Sequence, residues 1–261
     1  MIDIASLFRL DGRVALITGG SRGIGRMIAE GFVSAGATVY ISSRKAEACN
    51  ETADQLGDAC FSLPGDVSTI DGCQALARAL GEREDRLDIL VNNAGAAWNA
   101  PATTFPEKGW DKVMDLNVKS PFFLTQACHP MLRAAATRQL AKVINITSVD
   151  GLRINPWETF SYQTSKAALI FLTRRMAAAF INDGIAVTSL APGAFPSDMN
   201  TAARDDAEKM SQHIPSGRVG TTNDMAAAAV YLASRAGDYI VGSTLIVDGG
   251  VVNASYAGAA D

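Results

Sequence analysis

Short apolar runs alternate along this chain with longer stretches in which apolar residues recur at helical spacing. Residues 14–18, 38–42, 60–63, 88–91, 141–146, 186–190 and 244–247 are runs of the first kind. Their shortness and continuous apolar character predict strands covered on both faces. The helical spacing predicts helices over 23–34, 46–56, 69–83, 110–117, 122–136, 161–181 and 225–234. Strand then helix, repeated from end to end, is the pattern of an α/β fold. It implies a mostly parallel sheet with helices on both faces. No linker, repeat or change of composition divides the chain, so residues 1–261 are read as one domain. The segment from about 196 to 220 is less regular and rich in Asp, Ser and Pro, as expected of a lid.

Composition narrows the function classes. A formal net charge of −4 disfavours nucleic acid and anionic membrane as partners, because both attract a basic face. No apolar run approaches the ~20 residues that span a bilayer. The opening Met-Ile-Asp-Ile-Ala-Ser-Leu-Phe lacks the basic start and apolar stretch of a signal peptide, so a cytoplasmic location is expected. Cys49, Cys60, Cys73 and Cys128 fit no zinc or redox spacing and read as free thiols of a reducing compartment. Neither His129 nor His213 sits in a His-x-x-x-His or Cys/His cluster, so no metal site is expected. A serine hydrolase of the Ser-His-Asp type is also disfavoured, with only His129 and His213 to serve as its base.

Candidate chemistry begins at Thr18-Gly19-Gly20-Ser21-Arg22-Gly23-Ile24-Gly25, between the first strand and the first helix. Glycines let the backbone turn tightly and approach a pyrophosphate, while the helix start offers unpaired N–H groups. A turn shaped only for packing is the alternative. The second strand ends in Ser42-Ser43-Arg44-Lys45, where an NAD site would place a carboxylate on the ribose 2′-hydroxyl. Small residues and cations stand there instead. With Arg22 they suit a 2′-phosphate, the alternative being a solvated basic strand end. Tyr162 and Lys166 lie four apart at a helix start and share a face. A nearby ammonium would lower the phenol's pKa and make Tyr162 a usable general acid or base. Ser148 follows the strand over 141–146, where ligands of open parallel sheets bind, and could hold a substrate oxygen.

Taken together these residues resemble the short-chain dehydrogenase/reductase family over nearly the whole chain. Thr18-Gly-x-x-x-Gly23-Ile24-Gly25, Asp66-Val67, Asn92-Asn93-Ala94-Gly95, Asn117, Ser148, Tyr162-x-x-x-Lys166 and Pro192-Gly193 occur in the family's order. The resemblance implies a Rossmann-like, doubly wound parallel sheet of about seven strands. It implies a catalytic tetrad of Asn117, Ser148, Tyr162 and Lys166, with Lys166 also on the nicotinamide ribose and Asn117 holding a relay water. The glycine turn (Gly19, Ser21, Arg22, Gly23, Ile24, Gly25), Ser43 and Arg44 would bind the cofactor. Asp66 and Val67 would lie near the adenine, and Asn93, Ala94 and Gly95 under the adenosine ribose. Pro192, Gly193, Phe195 and Ser197, with Tyr162 and Lys166, would meet the nicotinamide half. Arg22 with Arg44 resembles the family's NADP(H) pattern. One departure is that Ser197 stands where many members have threonine, and Pro196 stiffens the loop before it.

Within the family, the start, the glycine turn and Pro192-Gly-Ala-Phe-Pro-Ser-Asp-Met199 are most similar to the 3-oxoacyl reductases of the rhamnolipid pathway. Gluconate 5-dehydrogenase-like members are also similar. Two reactions follow as expectations: NADPH-dependent reduction of a carbonyl such as a 3-oxoacyl-ACP or -CoA thioester, or oxidation of a sugar acid or polyol. The largely apolar stretch Val149, Leu152, Ile154, Trp157, Phe160 leans toward the first, with Trp157, Met199 and Met210 as pocket candidates. A cofactor-binding regulator without turnover is a third reading, disfavoured because all four tetrad positions are filled. The resemblance also implies a homotetramer or homodimer in which the helices over 122–136 and 161–181 pair between subunits.

Overall fold

The computed structural model describes residues 1–254. Among them, seven parallel strands form one sheet: β1 Val14–Thr18, β2 Thr38–Ser42, β3 Cys60–Ser62, β4 Ile89–Asn92, β5 Ala141–Ile146, β6 Ile185–Pro192 and β7 Thr244–Val247. Their spatial order is β3-β2-β1-β4-β5-β6-β7. The chain first winds outward from β1 to β3, then crosses back to β4 and winds the other way. Loops leaving β1 and β4 therefore diverge, and a crevice opens at the carboxyl ends of these strands.

Ten helices connect or flank the described strands: α1 Ile4–Leu7, α2 Gly23–Ser34, α3 Ala46–Leu56, α4 Ile70–Gly81, α5 Glu107–Met114, α6 Ser120–Ala136, α7 Phe160–Phe180, α8 Thr201–Asp205, α9 Ala207–Ser211 and α10 Thr222–Ala233. Adjacent residues of β1 explain the unbroken apolar runs. Ile17 packs with Ile28 and Phe32 of α2 and Met225 of α10. Its neighbour Leu16 packs on the opposite face with Leu80 of α4, Leu124 of α6 and Met176 of α7. Each fully buried side chain of this kind contributes roughly 1.5–3 kcal/mol. Helices α2 and α10 cross closely, since a Cβ on Gly31 would sit 2.6 Å from the Ala226 Cβ.

The elements depart from the sequence pattern where polar groups intervene. Helix α4 starts at Ile70 because the Thr69 hydroxyl accepts the Gly72 N–H (3.1 Å) and caps it. Strand β6 is longer than its core run because β5 and β7 both pair with it. The stretch expected as two helices around 110–136 is nearly continuous. Helices α5 and α6 are joined by a wide π turn, Asp115–Lys119. The irregular segment after Pro196 carries two short helices, α8 and α9, capped by Asn200 and Asp206. No described helix is long and apolar enough to cross a membrane.

Candidate active site

At the crevice the chain leaves β1 through Gly19 to Arg22 and enters α2 at Gly23. Gly19 and Gly23 have φ of +65° and +52°, which L side chains adopt only with strain. A Cβ on Gly25 would lie 2.3 Å from the Gly19 carbonyl oxygen, so turn and helix touch backbone to backbone. The turn is also tied to the loop after β4. The Thr18 hydroxyl accepts the N–H groups of Asn93 and Ala94, both at 3.0 Å. Asn93 Nδ2 donates to the carbonyls of Thr18 (2.8 Å) and Gly19 (3.1 Å). On the other flank, Thr52 of α3 donates to the Ser21 carbonyl (2.9 Å). Residue Arg22 gives α2 no side-chain cap, so the first N–H groups of the helix stay open to an anion.

Next to this turn, Ser43 and Arg44 follow the end of β2. Arg44 is exposed and its side chain has no hydrogen-bond or ion-pair partner among the described residues. Asp66 is exposed and accepts the Ser68 N–H (3.0 Å), while Val67 is buried. A tight glycine turn, an uncapped helix start and an unpaired guanidinium form a donor set that fits a phosphorylated dinucleotide.

The proton-transfer residues converge on the same crevice. The π turn carries Asn117 inward, where it is buried. Its Oδ1 accepts the Ala96 N–H (2.8 Å), and its Nδ2 donates to the Ala96 carbonyl and the Ser165 hydroxyl, both at 2.9 Å. Ser165 in turn donates to the Tyr162 carbonyl (2.7 Å). Ser148 accepts the Asp150 N–H (3.1 Å), which caps the 3-10 turn Val149–Gly151, and its side chain acts to lower the Tyr162 pKa. That turn lies flush on α7, where a Cβ on Gly151 would sit 2.6 Å from the Lys166 carbonyl carbon. Lys166 is buried, donates from Nζ to the Ile146 carbonyl (2.8 Å), and lies 5.6 Å from the Tyr162 ring centroid. Gly95 faces both, since its Cβ would come 3.3 Å from Asn117 Oδ1 and 3.7 Å from Lys166 Nζ.

The electrostatics reverse one expectation. Lys166 was expected to pull the Tyr162 phenol down. Burial instead pushes Tyr162 up to about 12, with the Ser148 hydrogen bond working against it and the Asp150 charge adding to it. Burial alone pushes Lys166 down to about 8. The physical reason is placement. The ammonium sits over the ring and spends its hydrogen bond on a backbone carbonyl, while desolvation disfavours charge on both groups.

A family model described as "Enoyl-(Acyl carrier protein) reductase" matches residues 19–252. The chain belongs to the short-chain dehydrogenase/reductase family. This short-chain dehydrogenase/reductase is 47% identical over 250 residues to the rhamnolipids biosynthesis 3-oxoacyl-[acyl-carrier-protein] reductase of Pseudomonas aeruginosa, covering 93% of this chain and 97% of that one. Its fold superposes on the Pseudomonas aeruginosa RhlG/NADP active-site complex with a TM-score of 0.91 at 47% identity, over 95% and 99% of the two chains. A Burkholderia cenocepacia gluconate 5-dehydrogenase in complex with NADP and tartrate gives 0.89 at 35% identity, over 97% and 100%.

The geometry of this short-chain dehydrogenase/reductase gathers most of the expected positions and re-sorts a few. The Phe195 ring is buried in the core against Gly220, which leaves only its backbone to meet a ligand. The Ser197 hydroxyl accepts the Asn200 N–H (3.1 Å), and its Cβ lies where it would be 3.2 Å from a Cβ on Gly23. Gly193 is pressed against Asp248, and its N–H donates to the Val247 carbonyl (2.9 Å). Arg22 is not turned toward Arg44 but pairs with Asp198. Trp157 is 56% exposed and not enclosed in a pocket. Sequence reasoning passed over Thr18 as a staple, Ser165 as a link and Asp150 beside the phenol. Ser165 was discoverable, because a hydroxyl inside Tyr-x-x-x-Lys reaches the preceding turn.

Proposed function

We propose that this protein is an NADPH-dependent carbonyl reductase acting on a substrate with an apolar portion, of the 3-oxoacyl thioester class. The observation that carries the reduction is the state of Tyr162. A phenol pushed up to about 12 keeps its proton at neutral pH and stands ready to donate it to a carbonyl oxygen. The Ser148 side chain acts on the same phenol, lowering its pKa against the effect of burial. NADPH, when bound, supplies the hydride to the carbonyl carbon. This chain's residues do the rest. The open N–H groups of α2 hold the pyrophosphate, with Ser43, Arg44 and Arg22 available to the 2′-phosphate. Ser148 holds the substrate oxygen and Tyr162 delivers its proton. Lys166 returns a proton toward Tyr162, and Asn117 anchors the relay from the π turn.

The substrate class rests on chemistry at the rim. Leu152, Ile154, Trp157 and Met199 are exposed apolar side chains, the first three on the stretch between Ser148 and Tyr162. Asp150 lies near enough to raise the Tyr162 pKa, and that negative charge opposes a sugar-acid carboxylate at the reacting position. The likeness to the Burkholderia cenocepacia enzyme keeps oxidation of a sugar acid as the second reading. A panel of 3-oxoacyl thioesters and keto-sugar acids with NADPH separates the two, the expected preference being at least tenfold for the thioesters. Tyr162→Phe is expected to lower kcat at least a hundredfold with KM nearly unchanged, as loss of general acid catalysis does. Retention of activity within tenfold would remove Tyr162 from this role.

The segment over 196–220 is read as the lid over this crevice. Four free, buried cysteines accord with a cytoplasmic, reducing location. An exposed stripe on α7 containing Phe160, Ala167 and Phe171 (69% exposed) supports self-association into a dimer or tetramer.

A further inference from the structure

Arg22 leaves the glycine turn toward the lid segment and ion-pairs with Asp198. Asp198 is shared: Arg204 Nη1 of α8 donates to its other oxygen at 2.7 Å. Arg204 has a second anchor, since its Nε and Nη2 hold Asp205 at 2.7 and 3.0 Å. Asp198 is therefore the partner that Arg22 depends on, whereas Arg204 keeps Asp205 without it. The contact borders a cleft of about 260 Å³ between α2 and the segment, lined by Arg22, Arg26, Pro196, Ser197, Asp198 and Arg204. The Arg22 side chain is 70% exposed, so it is free to turn to another anion. Directly across the turn, Arg44 is exposed and unpaired.

We infer that Asp198 is a specificity-determining residue: its carboxylate occupies Arg22 until a cofactor 2′-phosphate takes its place. This rests on the proposed reading of Arg22 as a ligand of that phosphate. A phosphate dianion offers Arg22 more charge and more acceptor oxygens than one shared carboxylate, so the exchange runs toward the phosphate. NADH carries no 2′-phosphate, leaves Arg22 on Asp198, and gains nothing from the exchange. Part of the NADPH binding energy is spent on breaking the Asp198 contact, which lowers discrimination below what Arg22 and Arg44 alone would give. The same exchange frees the segment from the turn at Arg22, and only NADPH does this.

The test is a set of dissociation constants for NADPH and NADH, read by nucleotide fluorescence, on the wild type and on Asp198→Asn, Arg22→Ala, the double variant and Asp205→Asn. An exposed ion pair of this kind changes affinity by about two- to fivefold. Asp198→Asn is expected to tighten NADPH by that factor and leave NADH unchanged. In the Arg22→Ala background the same change is expected to do nothing. Asp205→Asn, which removes an equal charge from the same segment without touching Arg22, is expected to match the wild type. Equal tightening of both nucleotides, an effect that survives without Arg22, or no effect of Asp198→Asn would overturn the inference. If Arg22→Ala leaves the NADPH-to-NADH ratio at its wild-type value, the reading of Arg22 itself fails, and the role of Asp198 with it.

Discussion

Lys166 shows how a residue suited to chemistry burdens the fold. Its ammonium is buried with one backbone carbonyl as partner, and burial lowers its pKa from 10.5 to about 8. A lysine with a depressed folded-state value subtracts stability. The cost is fully present below about pH 8, shrinks as the folded form loses its proton, and is gone above the unfolded value near 10.5. The shift corresponds to a penalty on the order of 3 kcal/mol. Lys166→Met is therefore expected to stabilise the cofactor-free protein at pH 7 by roughly 1–3 kcal/mol, after the lost hydrogen bond is deducted. Denaturant unfolding at pH 7 and near pH 10.5 checks both the sign and its disappearance. A destabilised variant at pH 7 would mean that the lysine has a counter-charge. Tyr162 carries the opposite bias, since burial keeps its proton on. The pair is thus set for donation before any nucleotide arrives.

At the scale of elements, three backbone devices place these side chains. The glycine turn brings α2 onto β1, the π turn swings Asn117 inward between α5 and α6, and Gly151 lets the Ser148 loop lie on α7. The two glycine devices are intolerant for a steric reason. Gly25→Ala would drive a methyl group into the Gly19 carbonyl and Asn93 Nδ2, at 2.3 and 2.5 Å. Neither is the end of a flexible chain, because Asn93 is pinned by two hydrogen bonds to the turn. The expected result is a loss of about 1–3 kcal/mol in stability, with NADPH binding weakened by more than tenfold. Thermal unfolding and a nucleotide titration measure the two. Wild-type affinity in a folded variant would show that the turn does not cradle the pyrophosphate. The glycines were legible as a motif because their spacing is local. The π turn was not, because one extra residue in a helical ladder leaves the hydrophobic period almost unchanged.

Over the whole molecule, the exposed stripe of α7 is the surface least accounted for by the single chain. Phe171 is 69% exposed on a helix whose opposite face, with Leu169, Thr173 and Met176, is fully buried. If this face pairs subunits, Phe171→Glu is expected to give a smaller species than the wild type in size-exclusion chromatography with light scattering, with the helix content retained. A wild type that elutes as a monomer would sink the assignment of this face. The strand–helix alternation, the covering of both sheet faces and the glycine turn were all readable from the chain. Each depends on periodicity or on neighbours a few residues apart, and the sheet could be inferred because continuous apolar runs need two covered faces. The Tyr162–Lys166 spacing was readable for the same reason, but not the sense in which the two groups titrate. That depended on the β5 carbonyl of Ile146, which Lys166 reaches, and on the burial of the phenol, both set by tertiary packing. The partner of Arg22 was likewise beyond the chain's own pattern, since Asp198 is 176 residues away. Local spacing determined what kinds of groups this protein brings to the crevice. Packing between distant segments decided their protonation and their partners, because desolvation and ion pairing are properties of the assembled surroundings and not of the residue.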